Sequence, residues 1–488
     1  MGRHAFGIGL ALALVGGLAQ AAELTAAERA AILGSVDKSA PRTAQVAHQI
    51  WDFAEVGYQE TKSSTLLQGE LKKAGFTVEA GVAGMPTAFV ASFKTGPGPM
   101  IAILAEFDAL PGLAQTAEPI QSPIAGQAAG HACGHHLFGA ASVAAAQTLK
   151  EWMIANKISG EIRVYGAPAE EGGSGKVYMV RAGLFKDVTA TLHWHPSSEN
   201  SASQSVSLAN VSGKFRFSGA SAHASAAPSR GRSALDGVEV MNVAVNYMRE
   251  HVPDGTRIHY VVTDGGKAPN VVPDKAEVYY YVRHTDPQIV RDVVARIQKA
   301  AEGAALATET KVAFEQTGGV YNMLPNDTLG RVMDDALRQV GGITWDAKET
   351  AFGEAMAKQL PANKAKLSSV GEIQPYSIGG GGGGSTDVAD VSWVTPTAGM
   401  GAATWVPGTP AHSWQAVAAG GMSIGSKGAA VAAKTLALAG ATLFRSPELL
   451  TKAQAELEAK RGPDFAYKAM VGDRPPPLYY RRNPSGAE

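Results

Sequence analysis

Three short strand patterns in this chain each end in residues able to do chemistry. Met100–Leu104 (MIAIL) is apolar at every position and runs into Glu106-Phe107-Asp108. Glu161–Tyr165 leads through Ala167-Pro168-Ala169 to Glu170-Glu171, and Thr189–His193 leads to Trp194-His195-Pro196. A strand without polar alternation must be buried on both faces, which demands helices above and below it. The pattern points to an α/β chain with an open sheet and helices on both faces. Its site should lie in the crevice beyond the carboxyl ends of the strands. Helix signals surround the strands. Thr25-Ala26-Ala27-Glu28 is a capping box, and helical periodicity follows over Ala44–Phe53 and Ser63–Ala74, where Gly75 stops it. An Ala-rich helix over Gly139–Ile154 stands directly behind the segment GHACGHH.

A second texture begins near Leu208. Strand patterns at Val211–Phe217, Arg257–Thr263, Ala276–His284 and Lys311–Gln316 alternate with helical ones at Ser233–His251 and Pro287–Leu306. The order β-α-β-β-α-β is the split βαβ of a ferredoxin-like domain, here inserted into the first fold. The expected organisation is therefore a catalytic domain in two parts, 22–207 and 320–461, an insert over 208–319 and an extended Pro-rich tail over 462–488. Ahead of these, Arg3 and His4 precede an apolar run, Ala5–Ala19, and an A-x-A pattern at Ala19-Gln20-Ala21. That is the layout of a secretory leader over residues 1–21, too short and Gly-rich for a comfortable span; an uncleaved anchor is the other reading. A secreted, periplasmic location is expected, with no membrane attachment once the leader is gone. Lys+Arg 43 against Asp+Glu 44 leaves a net charge of −1, so no basic field invites nucleic acid. The lone Cys133 excludes an intrachain disulfide, and an exported free thiol needs burial or a metal.

GHACGHH sets Cys133 and His135 two apart in a Gly-rich turn, a thiolate and an imidazole at ligand spacing. Glu170 and Glu171 are adjacent carboxylates; such a pair is either plainly solvated or divides two tasks, one holding a metal and one moving a proton. His193 and His195 stand at a strand end, and His412 lies in GTPAHSW. Each histidine alone is more often a structural hydrogen bonder than a ligand. Together, Cys133, His135, Glu171, His193 and His412 fall where a parallel sheet converges its loops. They form a candidate set for two divalent ions, with Cys133 as the shared ligand. The run Gly379–Gly384 is either a bland loop or one that approaches a ligand closely.

The motifs AEFDALPGL, GHACGHHLFGAA, APAEEGGSGK, LHWHP, GASAHASAAP, APNVVPD, STDVADVSW and GTPAHSWQ occur in this order. Through them the chain resembles the dinuclear amidohydrolases of the aminoacylase and carboxypeptidase superfamily. Within it, the likeness is to the branch of aminobenzoyl-glutamate and N-acyl-amino-acid (auxin-conjugate) hydrolases. The resemblance implies two divalent ions, manganese or zinc, and hydrolysis of an N-acyl or N-aroyl amino acid to a carboxylic acid and a free amino acid. It assigns Cys133, His135, Glu171, His193 and His412 as metal ligands and Glu170 as general base. His193 is preferred over His195 by the family register, and His136 is left as a neighbour of the ligands. Asp108 matches the acidic residue that orients a ligand; Glu106 stands where the wider superfamily has a ligand histidine, so His135 substitutes. His223 matches the histidine that reaches across a dimer toward the partner's substrate, and Asn270 and Arg283 fit a role in holding the substrate carboxylate, Arg283 reading equally as a solvated strand-end charge. The insert would then serve as lid and dimerisation domain, in a homodimer or with a related subunit. Two other readings use the same residues: a cysteine hydrolase acting through Cys133, and a non-catalytic binding protein whose metals only hold structure.

Overall fold

The computed structural model describes residues 23–360 and 365–481. The expected leader over residues 1–21 lies outside them. The first helix, α1 (Ala26–Phe53), opens at the capping box: Thr25 Oγ1 accepts from the Glu28 amide while the Glu28 carboxylate accepts from the Thr25 amide. It continues without a break through Pro41 into the periodic stretch that ends at Phe53. Helix α2 (Thr61–Lys73) stops just before Gly75, whose φ of 83° supplies the left-handed turn.

The main sheet contains β1 (Thr77–Ala80), β2 (Phe89–Lys94), β3 (Met100–Ala105), β4 (Glu161–Gly166), β5 (Ala190–Ser197) and a last strand, Thr397–Ala403, contributed by the second part of the domain. The order is β1-β2-β4-β3-β5, then the strand Thr397–Ala403. Pairings from β4 through to Thr397–Ala403 are parallel, and β1 and β2 add an antiparallel edge. Every residue of β3 is buried, which is why its sequence carries no alternation. Helix α1, helix α3 (His135–Ala155) and the long helix Ser423–Arg445 pack on one another, and the latter two also pack on these strands. Small residues along α3, from Gly139 to Ala146, let it sit close to the sheet.

Two departures from the sequence reading bear on the site. Helix α3 begins at His135, four residues before the expected start, so His135 and His136 form its first turn. Strand β5 runs to Ser197 instead of ending near His193. The rim of the sheet is therefore reached four residues later, about 13 Å further along the strand.

The four strands Ala209–Ser218, Arg257–Asp264, Lys275–His284 and Lys311–Val320 form a separate antiparallel sheet, with Lys275–His284 and Ala209–Ser218 at its centre. Helices Ala234–Met248 and Pro287–Ala307 pack on each other and on that sheet, around a second core that includes Phe215, Phe217, Val278 and Tyr280. The short strand Ile378–Gly381, the start of the glycine run, pairs in parallel with Gln204–Val206. No helix among the described residues is long and apolar enough to cross a membrane.

Candidate functional site

The carboxyl ends of β3, β4 and β5 converge on the turn that carries Cys133. Gly134 follows it at φ 76°, and a Cβ there would lie 2.6 Å from Pro196, so only glycine lets the turn close over β5. Cys133 Sγ then lies 3.4 Å from His195 Nε2. The His195 ring is fixed from its other side, because Nδ1 can only donate to the Pro196 carbonyl, at 2.7 Å. Burial lowers the pKa of His195, which leaves Nε2 as a lone pair facing the sulfur. His135 is held in the same way: its Nδ1 lies 2.8 Å from Asp108 Oδ1, and its Nε2 faces inward. Asp108 uses its second oxygen to accept the Glu171 amide at 3.0 Å.

Glu170 and Glu171 sit in a contorted segment. Ala169 and Ser174 are left-handed at φ 56° and 62°, Glu171 has ψ 63°, and Gly172 has φ 91°. Non-glycine residues in that region cost about 1–3 kcal/mol each and persist only where the surroundings over-determine them. Here the Ala169 amide donates to Glu60, the Tyr58 hydroxyl donates to the Gly173 carbonyl at 2.7 Å, and Asp108 takes the Glu171 amide. The result brings Glu171 Oε1 to 3.0 Å from His412 Nε2. His412 is itself left-handed, at φ 59°, with its amide tied to the Ala132 carbonyl beside Cys133.

Ligand atoms of Cys133, His135 and His195 lie within 4.8 Å of one another, and so do those of Cys133, Glu171 and His412. The two sets share the sulfur. A third set joins Glu106, His135 and Glu170. Glu106 Oε2, His135 Nε2 and Glu171 Oε1 are buried, and their polar neighbours are other members of these sets: Glu106 Oε2 lies 3.1 Å from His135 Nε2 and Glu171 Oε1 3.0 Å from His412 Nε2. The local charge agrees. Burial works against a positive His135, yet Cys133, Glu106 and Asp108 outweigh it and raise its pKa well above normal. Burial also pushes Glu170 well above the usual carboxylate range, reinforced by Glu106, Glu171 and Asp387. For Glu171 burial acts upward, but His412 and His135 bring it down. One carboxyl of the pair is poised to carry a proton, and its neighbour is held as an anion.

Of the two β5 histidines it is His195, and not the expected His193, whose ligand atom lies near those of Cys133 and His135. His193 occupies the same face one pleat earlier, its ring so close to the Gly399 backbone that a Cβ there would lie 2.3 Å away. It lines a cavity of about 340 Å³ with His195, Gln204, Ser385 and Gly384, so the glycine run forms part of the wall. Arg283 reaches Ser385 Oγ at 3.1 Å on that wall. His223 and Asn270 are exposed on the insert; His223 Nδ1 accepts from the amides of Ser225 and Ala226, and no described contact joins either residue to the cluster. His136 bonds the Gly420 carbonyl and His131 the Ile50 carbonyl, both away from Cys133.

Lys176 and Asp387 escaped the sequence reading. Lys176, fully buried, places Nζ 2.7 Å from Glu106 Oε1 and 2.6 Å from Asp387 Oδ1, and its amide donates to Asp387 Oδ2. Glu106 in turn sets Oε2 3.1 Å from His135 Nε2. The signal was present in APAEEGGSGK and STDVADVSW, but nothing in a single sequence says that a lysine and an aspartate 211 residues apart will pair in the interior.

A model of the peptidase dimerisation domain matches residues 209–309, the greater part of the inserted unit. One of the subunits of the p-aminobenzoyl-glutamate hydrolase of Escherichia coli is 39% identical over 448 residues, covering 86% of this chain and 93% of that protein. The Xaa-Arg dipeptidase of Mus musculus is 28% identical, covering 91% of this chain and 95% of that protein. Among solved structures, a dinuclear metal-binding peptidase of the M20 family from Bacillus subtilis superposes with a TM-score of 0.57 at 18% identity, covering 84% of this chain and 99% of that one.

Proposed function

This chain belongs to the M20 family of metal-dependent peptidases and amidohydrolases, and we propose that it hydrolyses the amide bond of an N-acyl or N-aroyl amino acid, with an aminobenzoyl-glutamate-like compound as the substrate class. The observation that carries this reading is the pair of ligand sets sharing Cys133, with the high-pKa Glu170 beside them. Cys133, His135 and His195 would hold one divalent ion and Cys133, Glu171 and His412 the other, either manganese or zinc. Bound there, the ions would polarise the amide carbonyl and lower the pKa of water.

The chain's own groups do the rest. Glu170 takes a proton from the attacking water and returns one to the leaving nitrogen, releasing a carboxylic acid and a free amine. Asp108 keeps His135 in the tautomer whose Nε2 faces inward, and its other oxygen holds the Glu171 amide. Arg283, at Ser385 on the rim of the cavity, supports a role in holding the substrate carboxylate. His223 has no task within one chain; its place on the dimerisation unit supports action across an interface, as a donor to the developing oxyanion of a partner's substrate. That partner is a second copy or a related subunit. Cys133 does not have the surroundings of a nucleophile, since burial pushes its thiol up. The leader-like residues 1–21 support a periplasmic site of action.

The test is amino-acid release from a panel of N-acyl and aminobenzoyl amino acids by protein stripped of metal and reloaded with manganese or zinc. Metal-restored release is expected, and Glu170→Gln should bind metal normally while losing at least about 10²-fold in turnover. Release that survives stripping, or an unimpaired Glu170→Gln, would overturn the assignment.

A further inference from the structure

The C-terminal segment takes no part in the chemistry proposed for the site. From Gly462 to Arg481 it forms no helix or strand, yet it touches both domains and reaches the catalytic loop. At the insert, Arg291 and Tyr321 donate to the Lys468 carbonyl, Gln316 donates to Met470, and Arg474 donates back to Thr317. Over the catalytic domain, Arg181 donates to Gly472 and Arg474, and Gln59 donates to Leu478. At its last described residues the Tyr480 hydroxyl donates to the Glu171 carbonyl at 3.0 Å, and Arg481 donates to the same oxygen. The Arg481 guanidinium lies over the Tyr480 ring, 5.3 Å from its centre.

The catalytic loop is shaped to receive that hydroxyl. A Cβ at Gly57 would lie 2.5 Å from the Tyr480 oxygen, and one at Gly173 would lie 3.2 Å from it, so both glycines leave it room. The carbonyl it grips belongs to the residue with ψ 63°, between two left-handed positions. A shift of the Glu171 backbone that moved its Cα would carry the carboxylate away from His412, 3.0 Å from it, and from Cys133. Glu60, Asp108 and Tyr58 hold the loop at Ala169 N, Glu171 N and Gly173 O. The side-chain donors to the Glu171 carbonyl come from the tail, one of them permanently charged.

We propose that Tyr480 and Arg481 are positioning residues of the metal centre. By fixing the Glu171 peptide, they set the affinity of the Cys133–Glu171–His412 set and leave that of Cys133–His135–His195 unchanged. The proposal rests on Glu171 being a metal ligand.

Metal-free full-length chain is titrated with cobalt(II), reading bound equivalents and thiolate-to-cobalt absorption, alongside the thermal midpoint of the apo form. The chains compared are wild type, Tyr480→Phe with Arg481→Ala, Tyr480→Phe with Arg481→Lys, and Glu171→Gln. The expected result is two equivalents for wild type. In the Phe/Ala variant one equivalent should bind as before and the other about 10–100-fold more weakly, with an unchanged apo midpoint. Lysine at 481 should recover part of that loss, and Glu171→Gln should weaken the same equivalent. Wild-type binding of both equivalents by the Phe/Ala variant would overturn the proposal and leave the metal reading intact. Joint weakening with a lower midpoint would make the tail a general brace, which also overturns it. Two intact equivalents in Glu171→Gln would remove the ligand reading and this proposal with it.

Discussion

At the scale of single residues, the site turns on which atoms are left facing inward. His195 and His193 differ by one pleat of the same strand, yet only His195 meets Cys133, and its Nδ1 is committed to the Pro196 carbonyl. Replacing His195 with alanine should remove one bound metal equivalent and at least about 10²-fold of turnover; His193→Ala should keep both equivalents. Metal analysis of the two purified variants reads this directly, and equal losses would return His193 to the cluster. Lys176 makes a different prediction. Its ammonium is the counter-charge for two buried carboxylates, Glu106 and Asp387, and burial still lifts Asp387 to about 6. Lys176→Met strands that negative charge in the interior, for an expected loss of about 3–5 kcal/mol in denaturant unfolding. Asp387→Asn in the same background should recover part of it.

At the scale of elements, the strained loop from Ala169 to Ser174 is the piece that must not relax. It is held by residues from well before it in the chain, among them Glu60, which accepts the Ala169 amide and the Thr87 hydroxyl. Burial, with the nearby Asp108 adding to it, lifts the Glu60 carboxyl to about 8. The unfolded value is about 4.3, so the folded chain holds the proton more tightly. The stability tied to this proton is therefore fully present below about pH 4 and is lost as pH rises through about 8. Glu60→Gln keeps the neutral shape without the titration. Its thermal midpoint, relative to wild type, should climb between about pH 4 and pH 8 and level off above that. A pH-independent difference would mean that Glu60 does not carry the proton. The elements themselves were largely legible: the capping box at Thr25, the stop at Gly75, the all-apolar β3 and the insert's β-α-β-β-α-β order each state a local rule in the sequence. The end of β5 was not, because His193-Trp194-His195 alternates equally well as strand or as exit from one, and only pairing with Thr397–Ala403 extends it to Ser197.

At the scale of the whole molecule, the insert offers an apolar surface that a lone chain leaves open. Tyr260, Val261 and Val262 are exposed on the edge strand Arg257–Asp264, and Val240, Val243 and Tyr247 on the helix Ala234–Met248. The apolar stretch Tyr260–Val262 on an edge strand, beside exposed apolar residues of the helix, is suited to pairing with another chain. Val243→Glu with Tyr247→Glu should shift the chain to monomer in sedimentation. If His223 acts across that interface, the same variant should lose turnover about as severely as His223→Ala, while binding metal normally. A monomeric variant with full turnover would confine catalysis to one chain.

By itself, the sequence determined the chemistry-bearing residue types and the order of elements that carries them. Both follow from local rules: periodicity, capping, the glycines of tight turns, and polar residues at the ends of buried strands. Cys133, His135, Glu170, Glu171 and His412 were visible because each sits where a strand or helix must begin or end. What only the tertiary structure decided are distances between parts far apart in the chain. These include the contact of His195 rather than His193 with Cys133, the burial of Lys176 between Glu106 and Asp387, and the return of Tyr480 and Arg481 to the Glu171 carbonyl. The reason is physical: hydrogen bonds and ion pairs are set within about 3 Å, and the packing that closes the last ångströms sums contacts no local pattern encodes.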